Sequence, residues 1–236
     1  LGACPKQRQT LLFSATLSKE ITYLAQKYMK NPVSITGESQ INPEKLYQVY
    51  YDVPQEMKFS LLVHLLKKAK GIVMIFCNTR RNVDRLAMNL RYYQVPAKAI
   101  HAGLTQEQRN ETMHSFQKQE TRVLVCSDVA ARGLDLAHVT HIYNYDVPKS
   151  SIEYLHRIGR TARAGKSGTA ISFVSEGDHG EIRLISREGG VEIEKVRLPK
   201  LEILSNTVDT RTEVKPYRRG HGKPRGHNRR RLKNRR

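Results

Sequence analysis

The sequence predicts an α/β domain, a parallel sheet with helices on both faces, and three observations predict it. Short β-branched and aromatic runs alternate across residues 41–200 with stretches whose apolar residues recur at helical spacing, the rhythm of strands joined by crossover helices. Ile72–Cys77 is apolar at every position, so it has no face to turn to water and reads as a central parallel strand. The runs are followed by polar loops carrying Gly, Ser, Thr, Asn and Arg, and in open parallel sheets ligands bind at the carboxyl ends of the strands.

The elements follow in order. Leu46–Val53 is a strand by its β-branched and aromatic content, and Pro54 opens a helix to about Ala69, on which Leu61, Leu62, Leu65 and Leu66 repeat. After Ile72–Cys77, the residues Val83, Leu86, Ala87 and Leu90 fall at i, i+3, i+4 and i+7, one face of a helix. Ala97–His101 is the next strand. Thr105-Gln-Glu-Gln108 is a capping box, in which two side chains satisfy each other's backbone N–H groups, and its helix buries Met113 and Phe116. Val123–Cys126 and Val139–Asn144 are strands, and Ser150-Ser-Ile-Glu153 is a second capping box opening a helix to about Ile158. Thr169–Val174 closes the sheet, and a charged helix runs from about Asp178 to Arg187.

Composition narrows the function classes. With 39% hydrophobic residues the chain can build a core, which excludes wholesale disorder. Its longest apolar run, Ile72–Cys77, falls far short of the roughly 18 residues a membrane span needs, and no signal segment opens the sequence. Cys4, Cys77 and Cys126 show no C-x-x-C spacing, which argues against a disulfide framework or zinc site and for a reducing compartment. The formal charge of +19 points to a polyanionic partner. Much of it sits in residues 214–236, where eleven Lys/Arg, no acidic residue and several Gly and Pro predict a disordered basic tail. A solvated tail without a ligand is the bland alternative. His221 and His227, two histidines on such a tail, do not make a metal site.

Four loops carry the chemistry. Asn78-Thr79-Arg80 offers a hydroxyl, helix-start amides and a guanidinium to a phosphate, although helix capping by Asn78 or Thr79 explains the first two residues equally well. Gln106 and Arg109 share one helix face beside Gly103, which would let a backbone approach; a solvated helix start explains them too. Ser127-Asp128-Val129-Ala130-Ala131-Arg132-Gly133-Leu134-Asp135 combines groups suited to phosphate with a carboxylate suited to sugar hydroxyls. His156, Arg157, Arg160 and Arg163 crowd four ionisable cations into eight residues, which repel one another unless an anion is present. Gly159 to Gly165-Lys166-Ser167 imitates a phosphate-binding P-loop, but five residues separate the glycines where four are needed, and the stretch leads from helix to strand.

Taken in order, Ser14-Ala15-Thr16, Ile75-Phe76-Cys77-Asn78-Thr79-Arg80, Gln106-x-x-Arg109, the 127–135 stretch and His156-Arg157-Ile158-Gly159-Arg160-Thr161-Ala162-Arg163 resemble the second half of a DEAD-box RNA helicase, over about Gln9 to Val174. The resemblance implies a core of two RecA-like domains closing around ATP and single-stranded RNA. Residues 1–36 would be the end of the first, ATP-binding domain, residues 41–200 the second RecA-like domain, and 214–236 the tail. The P-loop, Q motif and DEAD tetrapeptide do not occur, and Leu1 is not an initiator Met, so the expectation is a fragment of a longer protein, inactive alone.

By the same resemblance, Arg160 and Arg163 are arginine fingers for the γ-phosphate, and Asp135 with Gly133 meets the nucleotide on its ribose side. Thr79, Arg80, Gly103, Gln106, Arg109, Ser127 and Asp128 meet RNA, chiefly its phosphates, so recognition is largely independent of sequence. Ser14, Thr16, Arg132 and His156 couple RNA contact to closure. The implied cofactor is ATP with Mg, the metal being held mainly by the upstream domain, and no metal site is expected in this part. The implied partners are RNA and the upstream domain in cis, with no membrane and a monomeric state, in the cytoplasm or, in a eukaryote, the nucleus or nucleolus. Ser127 stands where Thr is commoner and Ala102 where Gly or another residue is. Ala162 replaces a usual Gly and is expected only to stiffen its loop. The competing readings are a non-enzymatic RNA-binding module anchored by its tail and a DNA translocase; the wording of the 127–135 and 156–163 motifs argues against the latter.

Overall fold

The computed structural model describes residues 4–5, 7–14, 19–35, 45–132, 134, 138–162 and 166–205. Seven strands form one wholly parallel sheet: β1 (Leu46–Asp52), β2 (Ile72–Phe76), β3 (Ala97–Ile100), β4 (Val123–Cys126), β5 (Val139–Asn144), β6 (Gly168–Val174) and β7 (Glu194–Val196). Their order across the sheet is β3-β4-β2-β5-β6-β1-β7. The helices are α1 (Lys19–Tyr28), α2 (Lys58–Lys68), α3 (Arg80–Tyr92), α4 (Gln106–Gln117), α5 (Asp128–Ala131), α6 (Ser151–Ile158) and α7 (His179–Gly189).

The period-two alternation of the strands feeds two cores. Met74, Phe76, Leu124 and Cys126 turn to one face, where they meet Phe116 of α4, Tyr154 and Ile158 of α6, and Ile182 and Ile185 of α7. Val73, Ile75, Val123 and Val125 turn to the other, against Phe59, Leu62 and Leu66 of α2 and Val83, Leu86 and Leu90 of α3. The central strands β2 and β4 are buried along their whole length, as their unbroken apolar runs predict. The Thr105 capping box forms as expected, with Phe116 buried and Met113 half-buried against the core.

Several expectations are revised. Pro54 opens a 3-10 turn, Gln55–Met57, and α2 proper begins at Lys58. The Ser150 hydroxyl accepts the Glu153 N–H, but the Glu153 carboxylate accepts from the N–H of Lys149, one residue earlier than a capping box requires. β6 does not close the sheet; it lies inside, between β5 and β1, and the edge is β7. After β7, Leu198, Leu201 and Leu204 pack on the α2/α3 core, Leu204 N–H donates to Ser60 Oγ at 2.8 Å, and Tyr93 O–H donates to the Ser205 carbonyl at 3.1 Å. Ahead of the sheet, Leu11, Phe13, Tyr23 and Leu24 are exposed. The predicted basic tail, 214–236, lies outside the described residues, as do residues 1–3, 15–18 and 36–44.

Candidate functional site

The carboxyl edge of the sheet is tied together by one buried side chain. Arg157, on the inward face of α6 with Tyr154 and Ile158, is 1% exposed. Its Nε and Nη2 donate to the two carboxylate oxygens of Asp128, each at 2.8 Å, the two-point fork that guanidinium and carboxylate geometry favours. Nη2 also donates to Asn78 Oδ1 at 2.9 Å, and Nη1 to Asn144 Oδ1 at 3.2 Å and the Asp146 carbonyl at 2.7 Å. The guanidinium carbon lies 5.2 Å from the centre of the Phe76 ring. Every N–H of the group is thereby used. Asn144 in turn donates to Ser172 Oγ at 3.0 Å, carrying the network to β6. The loops after β2, β4 and β5 are fixed to α6 through this one residue.

Asp128, expected to face RNA, therefore has its carboxylate committed to Arg157; anything it offers a phosphate comes from its backbone at the start of α5. The cause is simple, since a buried guanidinium needs a carboxylate, and this pairing is a structural role the expectation did not include. Sequence reasoning missed Arg157. Its signal was present: Arg157 falls at i+3 from Tyr154 and beside Ile158, on the face that the helix buries.

The loop after β2 presents Thr79 and Arg80, both exposed. Thr79 Oγ1 accepts the Asn82 N–H at 3.1 Å, so the capping reading holds, and an oxygen used as acceptor leaves the hydroxyl proton to donate elsewhere. Asp146 steadies the same turn by accepting from Asn78 N–H at 2.8 Å and Asn82 Nδ2 at 3.3 Å. In the loop after β3, Gly103 is exposed, its N–H donating to His101 Nδ1 at 3.0 Å. A Cβ there would lie 3.0 Å from His101 Cε1 and Nδ1, so any larger residue would require the imidazole to give by a few tenths of an ångström. Gln106 bonds Asn110 at 2.8 Å on the exposed start of α4. Arg109, half-buried, reaches across to the Ala130 carbonyl at 2.8 Å and so supports α5 from the β3 side.

The loop after β4 and the end of α6 face each other. Ser127 begins α5 without using its hydroxyl to cap it, and Arg132 just beyond is exposed. Arg160, half-buried, donates from Nη1 to the Leu134 carbonyl at 3.1 Å, which sets it against the 127–135 stretch. Burial, and then the nearby Arg132 and Arg160 guanidiniums, hold the His156 imidazole below its ordinary 6.5, with Asp128 and Glu153 opposing. Ala162 has φ 53°, in the left-handed region, so a side chain there brings backbone strain as well as stiffness, and the smaller residue usual in the resemblance fits this position better. Gly133, Asp135 and Arg163 lie outside the described residues, as does Thr16; Ser14 sits on the segment ahead of α1. Burial also pushes the Cys77 and Cys126 thiols up; they face opposite cores and take no part.

A groove of about 640 Å³ opens beside this edge, lined by Glu56, Asp146, Glu176 and Asp178, with Lys58 held 3.1 Å from Asp178. Its carboxylates make it hostile to phosphate. The cationic and amide-bearing side is instead the one formed by Thr79–Arg80, Gly103, Ser127, Arg132 and Arg160.

The helicase conserved C-terminal domain family matches residues 57–165. The chain is 40% identical over 207 residues to the DEAD-box ATP-dependent RNA helicase CshA of Geobacillus kaustophilus, covering 86% of this chain and 44% of that one, so it spans under half the length of such curated relatives. Among solved structures, the Escherichia coli DEAD-box protein SrmB bound to the regulator of ribonuclease activity A is 41% identical with a TM-score of 0.60, covering 65% of this chain and 89% of that one. Saccharomyces cerevisiae Dbp5 bound to RNA and ADP BeF3 is 30% identical with a TM-score of 0.74, covering 82% and 52%.

Proposed function

The chain belongs to the DEAD-box RNA helicase family and holds its C-terminal, RecA-like domain, and on that premise we propose that it is the half of an ATP-dependent RNA helicase that closes on an upstream domain to grip RNA and complete the ATP site. One observation supports this reading most directly: the expected RNA-facing and nucleotide-facing groups among the described residues of the sheet domain lie along one carboxyl edge, the loops after β2, β4 and β5 being locked together by Arg157.

Thr79, Arg80, Gln106, Arg109 and Ser127 would receive the phosphates of single-stranded RNA, through hydroxyls, amides and guanidiniums that read the backbone and leave the bases unread, and Gly103 would let the strand approach its turn closely. Arg160, with Arg163, would reach the γ-phosphate on closure. Phosphoryl transfer spreads negative charge over the equatorial oxygens, and a guanidinium fork delivered at that moment stabilises it. The half-buried seat of Arg160 against the Leu134 carbonyl suits that task, because it holds the group beside the 127–135 stretch. His156, half-buried on α6, and the exposed Arg132 after α5 would couple RNA contact to closure. Asp135 and Gly133 would meet the ribose. The proposal leaves Mg with the upstream domain. The basic tail would add a sequence-independent hold on RNA.

The test is an RNA-stimulated ATPase assay. This chain alone should give no RNA-dependent turnover, and joining it to an upstream domain bearing the P-loop and DEAD motifs should give it. Arg160→Ala in the joined protein should lower turnover by about 10³-fold or more with RNA affinity within about threefold of the parent. Undiminished turnover would overturn the assignment of Arg160.

A further inference from the structure

His101 takes part in no chemistry described above, yet it is 7% exposed at the carboxyl end of β3 and both ring nitrogens are engaged. Nδ1 accepts the Gly103 N–H at 3.0 Å, which requires that nitrogen to be unprotonated. Nε2 therefore carries the proton and donates it to Asp84 Oδ1 at 2.9 Å. Asp84 stands one helical turn after Arg80 on α3, so the two share a face. Arg80 Cδ lies 3.7 Å from the place a Gly103 Cβ would occupy. The Leu104 N–H closes the same turn on the His101 carbonyl at 3.2 Å. One imidazole thus ties the loop after β3 to the first turns of α3, the two segments that carry Gly103, Thr79 and Arg80.

We propose that His101, oriented by Asp84, is the positioning residue that sets the Gly103 turn and the Thr79–Arg80 turn at a fixed separation, so that both meet consecutive phosphates of one RNA strand. This rests on the RNA reading given above and deepens it. The physical argument is pre-organisation. A phosphate-binding turn left to move must be ordered by the ligand, and the affinity falls by that cost. The Gly103 N–H is directed inward, to Nδ1, so its service is to hold the turn in shape and not to contact RNA; the remaining groups of the turn and the Arg80 side chain then face outward from a fixed frame.

Two near-isosteric variants separate the bonds. In His101→Asn the amide oxygen takes the place of Nδ1 and keeps the Gly103 N–H in an Asx turn, while the reach to Asp84 is lost. In His101→Gln the amide nitrogen takes the place of Nε2 and keeps the Asp84 bond, while the Gly103 acceptor is lost. Binding of a labelled single-stranded oligouridylate to the whole chain is measured for both, with thermal unfolding and the hydrogen-exchange protection of the Gly103 amide. We expect His101→Gln to bind RNA up to roughly tenfold more weakly and to lose Gly103 protection, the scale of one hydrogen bond that no longer holds the turn, and His101→Asn to stay within about threefold of the parent with protection kept. Equal affinities in the parent and His101→Gln overturn the proposal, as do equal losses in both variants, which would mark a merely structural residue. A parent chain that does not bind the oligonucleotide overturns the RNA reading itself and this inference with it, a result distinct from the other two.

Discussion

A guanidinium carries five N–H groups and no acceptor, so an arginine that is 1% exposed must find its acceptors within the protein or destabilise it. Arg157 finds them on Asp128, Asn78, Asn144 and the Asp146 carbonyl. Removing one partner of such a pair leaves the other buried and unpaired. Arg157→Ala should cost about 3–5 kcal/mol in urea unfolding, and Arg157→Lys most of that, because an ammonium cannot present the fork. A loss under about 1 kcal/mol in both would mean the network is dispensable. The sequence announced four cations needing an anion between 156 and 163. For one of them that anion is Asp128, inside the protein, and only the fold could show that a residue 29 positions away lies opposite. Residue types were therefore legible, and their division into inward and outward was not.

Among elements, those with strong local signals were legible: the all-apolar strands β2 and β4, the helix α3 with its spacing of Val83, Leu86, Ala87 and Leu90, and the Thr105 cap. What escaped were elements defined by their neighbours. α5 is a single turn of four residues, and β7 is three residues whose strand character comes from pairing with β1. The segment that follows β7 is neither helix nor strand, yet Leu198, Leu201 and Leu204 cover α2 and α3. A chain ended after Val196 should unfold at lower denaturant than one ended after Ser205, by about 2–4 kcal/mol for three half-buried leucines and the lost Ser60 and Tyr93 bonds. Coincident unfolding curves for the two would show that this segment adds nothing.

At the scale of the molecule, burial holds His64, His141 and His156 all below their ordinary 6.5, each helped by neighbouring cations. A histidine whose folded value is depressed binds its proton more readily when unfolded. The contribution to instability is therefore absent well above 6.5, grows as pH falls through 6.5, and levels off below the folded values. The melting temperature should be lower at about pH 5.5 than at about pH 7.5, and His156→Gln should narrow the difference. A pH-independent melting temperature across that range would refute the burial of these rings as the source. The fold class, a parallel sheet with helices on both faces, was legible because period-two and period-3.6 patterns do not imitate each other over whole elements. The order of the strands was not, since pairing across a sheet leaves no trace in local spacing.

That order, β3-β4-β2-β5-β6-β1-β7, has a consequence for synthesis from the amino terminus. β1 is translated first but pairs only with β6 and β7, Leu46 opposite Gly168 and Val49 opposite Glu194. β2 to β5, by contrast, find one another within residues 72–144. A four-stranded nucleus can form on the ribosome while β1, with its aromatic Tyr47, Tyr50 and Tyr51, waits unpaired for most of the domain to emerge. The closing of that long loop, and not the assembly of the site, is then the expected slow step of folding and the interval in which the nascent chain is exposed to aggregation.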